Sequence, residues 1–264
     1  MINSKKPLTF TSKKKIKVNK THNNVLLKLD YSIIDKRDVY GFYLTNKTTK
    51  NNPYELPDIA CFTDIVPDFI ALVSEPSLYN LTSKTCISWF KDDSIFDTMD
   101  GLYNAIIYKD IQLLKYYKDR FKDTKIFISP DYSLYGDFDK ITILNNLRKQ
   151  LVVSLWLIFE LDAIVIPLMT YSAEESLDWC FEHIMLNSVV AVSLKGVMNE
   201  PEKSLFKNAL KKLIDSRHPK SLIVYSVSLE KSTKEMLEYA YKNNIDVHIV
   251  DNTLLRRNRG DING

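Results

Sequence analysis

Residues 125–168 read KIFISPDYSLYGDFDKITILNNLRKQLVVSLWLIFELDAIVIPL, and this stretch decides the fold. It opens on one short apolar run, Lys125–Ser129, and closes on another, Ala163–Leu168. Both are the length of a strand and rich in Ile, Val or Phe. Ile141–Leu161 lies between them and is long enough for about six helical turns. Strand, helix and strand in that order make a right-handed crossover between parallel neighbours.

The same rhythm extends in both directions. Further candidate strands are Asp58–Phe62, Thr85–Phe90, Ser188–Leu194, Ser221–Val227 and Asp246–Val250. They are apolar on consecutive positions, which suits strands covered on both faces. Candidate helices are Gly101–Phe121, Ala173–Leu186, Pro201–Asp215 and Thr233–Asn243. Ser172 with Glu175 and Ser232 with Glu235 have capping-box spacing, and Pro201 suits a first helical turn. The order predicts an α/β fold in which alternating β-α units form a mainly parallel sheet. The reading favours barrel-like (TIM-like) closure over an open doubly wound sheet, with Val25–Leu29 or Val39–Leu44 as a candidate eighth strand.

A chain of 264 residues, with 45% hydrophobic and 26% charged residues, has enough apolar side chains for a core, which excludes wholesale disorder. Residues 1–55 read as a basic N-terminal arm and extension, and 56–264 as a single α/β domain. Eight lysines precede the first acid, Asp30, although the whole chain carries only +3, so the remainder is net acidic. Lys13, Lys14, Lys15 and Lys17 in that arm, with Arg256 and Arg257 near the C-terminus, are candidates for binding DNA or RNA phosphates. A solvated terminus is the competing reading.

Cys61, Cys86 and Cys180 are far apart in apolar runs, no CxxC pair occurs and the four histidines are scattered, which argues against a structural zinc site. The apolar run Leu151–Leu161 is too short to span a bilayer, and no signal-type segment follows the N-terminal lysines. The expectation is a cytoplasmic protein without membrane contact. The sequence does not address oligomeric state.

Parallel α/β folds gather ligand sites at the carboxyl ends of their strands. Asp64, Asp131 and Asp251 follow three of the candidate strands, and Lys195 follows a fourth. Together they are the candidate catalytic residues. Asp64 and Asp131 are candidate ligands for Mg²⁺ or Mn²⁺, and Lys195 is placed to steady a phosphate. An aspartate at such a junction also caps helices, which is the plainer role. Six glycines and no GxGxxG, GxxxxGK[ST] or GxSxG argue against dinucleotide, P-loop and hydrolase-elbow sites. Lys195 also fits a Schiff-base lysine, and the tyrosines offer stacking surfaces for bases.

Pro57–Leu72 (PDIACFTDIVPDFIAL), Phe127–Ser133 (FISPDYS) and Val153–Trp156 (VSLW) resemble a bacterial and phage family, domain of unknown function 4417, over about residues 55–258. The resemblance brings no reaction and no catalytic residues. It implies a setting in phages, plasmids or integrating elements. Three functions are therefore expected in order: an enzyme acting on nucleic acid or nucleotides, with metal-dependent phosphoester chemistry as one form; a non-catalytic nucleic-acid-binding accessory protein; and a protein-directed inhibitor of a host system.

Overall fold

The computed structural model describes residues 18–21, 24–27, 38, 40–228 and 230–261. A two-stranded antiparallel pair, β1 (Val18–Thr21) and β2 (Asn24–Leu27), precedes the short helix α1 (Phe42–Thr45). Seven parallel strands follow: β3 (Phe69–Leu72), β4 (Thr85–Ser88), β5 (Ile126–Ile128), β6 (Ile164–Ile166), β7 (Val189–Ser193), β8 (Ser221–Tyr225) and β9 (Asp246–Asn252). Each lies beside its successor, and β9 returns to pair with β3. The remaining junction, β6 to β7, is a single bridge: Met169 N donates to Ala191 O at 2.9 Å and Ala191 N to Pro167 O at 2.8 Å. The sheet thus nearly closes into a seven-stranded barrel, and the segments offered as an eighth strand do not enter it among the described residues.

Side-chain parity explains the continuous apolar strands. Successive residues point to opposite faces, so Ile70, Leu72, Cys86, Ile126, Ile128, Ile166, Val189, Ala191, Ile223 and Val250 fill the barrel. Their neighbours Phe69, Ala71, Ile87, Phe127, Val165, Val190, Val192, Leu222 and Val224 belong to a second buried cluster beneath the helices. All three cysteines are buried free thiols.

The helical layer comprises α2 (Leu102–Tyr108), α3 (Ile111–Phe121), α4 (Lys140–Leu161), α5 (Glu200–Arg217), α6 (Glu230–Met236), α7 (Glu238–Lys242) and α8 (Thr253–Arg259). Asp139 starts α4 by accepting from Ile141 N, Thr142 N and Thr142 Oγ1 at 2.7–3.0 Å. Leu147, Leu151, Val152 and Trp156 then bury its inner face. Leu44 of α1 is fully buried in the same outer cluster.

Four expectations are corrected. Asp58–Phe62 is not the first barrel strand. Ile59 exchanges hydrogen bonds with His183 and Met185, Cys61 pairs with Ser188 and Val189, and the segment runs beneath the N-terminal end of β7. The first barrel strand is β3. Residues 173–186 form one short 3-10 turn at Glu174–Ser176 and further turns, because the backbone of 183–185 is committed to Ile59 and Ser172 bonds Tyr135 O and Ser176 instead of capping. The helix over 101–121 breaks where Lys109 turns left-handed, φ 54°, and Asp110 caps a new one. The helix over 233–243 begins earlier, at Glu230, and breaks before Glu238, so Ser232 is not its cap.

Candidate functional site

Three of the carboxyl-end loops surround a cavity of about 350 Å³. Asp131 enters from the loop after β5, Thr170 and Tyr171 from the loop after β6, and Lys195 from the loop after β7. Ser193, the last residue of β7, and Glu202, in the first turn of α5, complete the polar lining. Leu134, Leu168, Met169, Val197 and Leu205 supply apolar walls, and Tyr135 stands at the edge.

The two charged groups that sequence placed at these ends perturb one another. Asp131 keeps only partial contact with solvent. Burial, then the nearby Asp93, raise its pKa to about 6, while Lys195 pulls it back. Burial lowers the pKa of Lys195, as does Lys91, against the upward pull of Asp131 and Asp92. The Lys195 ammonium reaches across the mouth to the carbonyl of Phe90 at 2.5 Å, and the Phe90 ring lies 4.7 Å from that of Tyr225 inside the barrel. Asp93 is itself pushed up by burial, although Ser133 N and Oγ donate to it at 3.1 and 3.0 Å.

Glu202 behaves oppositely. The amides of Met198 and Asn199 donate to its carboxylate at 2.8 and 3.1 Å and hold its pKa below the ordinary value. These contacts form a capping box, because Asn199 in turn accepts from Glu202 N. A second layer fixes the wall. Thr170 Oγ1 donates to Oε1 of the buried Gln150 at 3.2 Å, and Ser154 Oγ donates to Ser129 Oγ at 3.0 Å, two residues before Asp131.

The other candidates lie elsewhere. Asp64 is exposed and bonded to the Lys220 ammonium, which lowers its pKa. Lys220 precedes β8, so Asp64 belongs to the N-terminal end of the barrel, opposite Asp131. One ion cannot touch both. Asp251 is on β9 but faces outward, with Arg256 Nε at 2.6 Å and Arg259 at 3.9 Å. Arg256 also stacks over the Phe69 ring at 4.8 Å, and Arg257 is exposed. Lys13, Lys14, Lys15 and Lys17 lie outside the described residues. Among the described residues no group of three His, Cys, Asp or Glu side chains is arranged to hold a metal ion, and no helix is long and apolar enough to cross a membrane.

Sequence reasoning missed Glu202, which reaches the cavity from a helix start, and Gln150. The one sequence signal for Gln150 is an amide at the edge of the apolar run Leu151–Leu157.

Fold and cavity define a parallel β/α barrel with a polar pocket at its strand carboxyl ends. The chain belongs to the family described as "Domain of unknown function (DUF4417)", whose model matches residues 48–242. It is 27% identical over 194 residues to the "Gene 1 protein" of Mycobacterium phage L5, covering 72% of this chain and 78% of that one. It is 24% identical to the "Gene 1 protein" of Mycobacterium phage D29, covering 72% of this chain and 66% of that one. No solved structure matches the chain.

Proposed function

We propose that this is a mobile-element protein of phage type whose barrel mouth carries out proton transfer on a small substrate drawn from nucleotides or nucleic acid. The mobile-element setting is supported by the two phage relatives. The chemistry rests on one observation: Asp131 and Lys195, delivered by different strands, line the same cavity. A carboxyl with a pKa of about 6 is ionised enough to accept a proton near neutrality and acidic enough to return it. The ammonium of Lys195, partly shielded at the pocket mouth, offsets negative charge that develops on the substrate. Apolar walls limit water around Asp131. Of the two candidate ligands for Mg²⁺ or Mn²⁺, the pocket contains only Asp131, so proton transfer accounts for the site better than a metal-bound water does.

The test is incubation of the full chain with nucleosides, nucleotides and short DNA and RNA, with chromatographic detection of products and calorimetric detection of binding. Asp131→Asn and Lys195→Met should abolish turnover of the active compound while leaving the thermal transition cooperative. Turnover that survives both substitutions, or the absence of binding and turnover with every compound, refutes the reading.

A non-catalytic nucleic-acid-binding role is the second reading, supported by the run of eight N-terminal lysines. It predicts that deleting residues 1–20 lowers both the affinity for DNA or RNA and its dependence on salt.

A further inference from the structure

We infer that the pocket receives a neutral or cationic, hydrogen-donating part of its ligand, of the kind a nucleobase edge presents, and rejects phosphate. This rests on the proton-transfer reading and narrows it to a substrate class.

Charge comes first. Two carboxylates, Asp131 and Glu202, line the cavity against one ammonium, Lys195. Asp92 and Asp93 stand behind them and Lys91 partly compensates. The ammonium is already engaged with Phe90 O. Helix starts can hold phosphate on their backbone amides. At the helix start that borders this pocket, before α5, the amides of Met198 and Asn199 are occupied by the chain's own Glu202 carboxylate. A phosphate entering the pocket would displace that carboxylate and face Asp131 as well.

Hydrogen-bond polarity points the same way. The Thr170 hydroxyl hydrogen is spent on Gln150 Oε1, so toward the cavity Thr170 offers only lone pairs. The Asp131 carboxylate accepts two parallel donors in the manner of a ring N–H beside an amino group. Tyr135, Tyr171 and the flanking aliphatic side chains present flat and apolar surfaces to a planar ring. At about 350 Å³ the space matches a base or nucleoside and falls at the small end of ligand pockets.

The experiment is calorimetric titration of the full chain with guanosine, cytidine and adenosine, with their 5′-monophosphates, and with inorganic phosphate alone. At least one nucleoside is expected to bind, its monophosphate no more tightly, and phosphate not to compete. Asp131 is faced by Asp93, Lys195 and Tyr171 from the three neighbouring loops. Its ionisation should therefore raise nucleoside affinity about tenfold between about pH 5 and pH 7. Asp131→Asn should weaken binding about tenfold or more and flatten that pH dependence. Glu202→Ala, which removes the acceptor held by the Met198 and Asn199 amides, should allow phosphate to compete. A monophosphate that binds tenfold more tightly than its nucleoside, or phosphate competition in the unaltered protein that disappears in Lys195→Met, overturns this inference and leaves the acid–base site standing. A failure of nucleosides, nucleotides and phosphate alike to bind overturns both.

Discussion

Asp131→Asn should make the protein more stable while it inactivates the pocket. The carboxyl moves from an ordinary value of 3.8 to about 6 on folding, chiefly through burial. A shift of about two units is worth about 3 kcal/mol. The folded pKa exceeds the unfolded one, so between about pH 4 and 6 the folded state binds more protons. Stability therefore falls as pH rises through that window, and the whole deficit is present at pH 7.5. Asparagine has a similar shape and no charge. Some of the gain is lost because its amide is also desolvated, leaving about 2 kcal/mol. For a chain of this size that is a rise of about 4–8 °C in the unfolding midpoint. Thermal or urea unfolding at pH 7.5 should show the gain, and the same comparison at pH 4 should show almost none. Equal or lower stability of the variant at pH 7.5 would refute the argument that Asp131 is a strained carboxylate retained for chemistry.

His183 should give the opposite pH dependence. It is fully buried, and burial lowers its pKa to about 4, with Arg217 adding to the effect and Asp58 opposing it. The unfolded chain binds the extra proton below about pH 6.5, so acidification to about pH 4 costs about 3 kcal/mol, and His183→Leu should remove that loss in urea titrations at stepped pH. Gly101→Ala should cost about 2–3 kcal/mol, since a Cβ would lie 2.4 Å from Phe96 O and 2.9 Å from Thr98 O, both backbone atoms that cannot rotate away. Arg120→Ala should cost about 2–3 kcal/mol by the same assay, because the guanidinium donates to Val73 O at 2.5 Å, Tyr116 OH at 2.8 Å and Tyr79 OH at 3.1 Å. Lysine, lacking the planar fork, should not restore the loss.

Most of the barrel is legible in the sequence because its strands are short, apolar on both faces and separated by helical periods. The exception is instructive. Ile59–Phe62 and Phe69–Leu72 are equally apolar, and their partners distinguish them: Ile59 joins residues 183–185, while Ile70 joins Cys86 and Asn252. That error carried Asp64 with it to the wrong end of the barrel. Asp251 fails for a different reason. On a strand that alternates faces, a single step reverses a side chain's direction, and it is Val250 that points inward while Asp251 meets Arg256 outside. Asp131 and Lys195 fall within three residues of strands read correctly, so reading the strand ends brings both to one cavity. Glu202 carries only the local mark of a capping box with Asn199, and Gln150 only that of an amide beside an apolar run, so neither spacing points to the pocket that packing brings them to.

The barrel's weakest joint lies directly under its pocket. Six neighbouring strand pairs share between two and five register positions, whereas β6 and β7 are fastened by the Leu168–Ala191 bridge alone, and Pro167 has no N–H with which to extend it. Mechanically the sheet is a hoop with one slack fastening. A ligand held between Asp131 and Thr170 on one side and Ser193 and Lys195 on the other would span that fastening like a clasp. Its binding energy would then appear as resistance of the whole hoop to opening, felt first as slower hydrogen exchange at the amides of Met169 and Ala191.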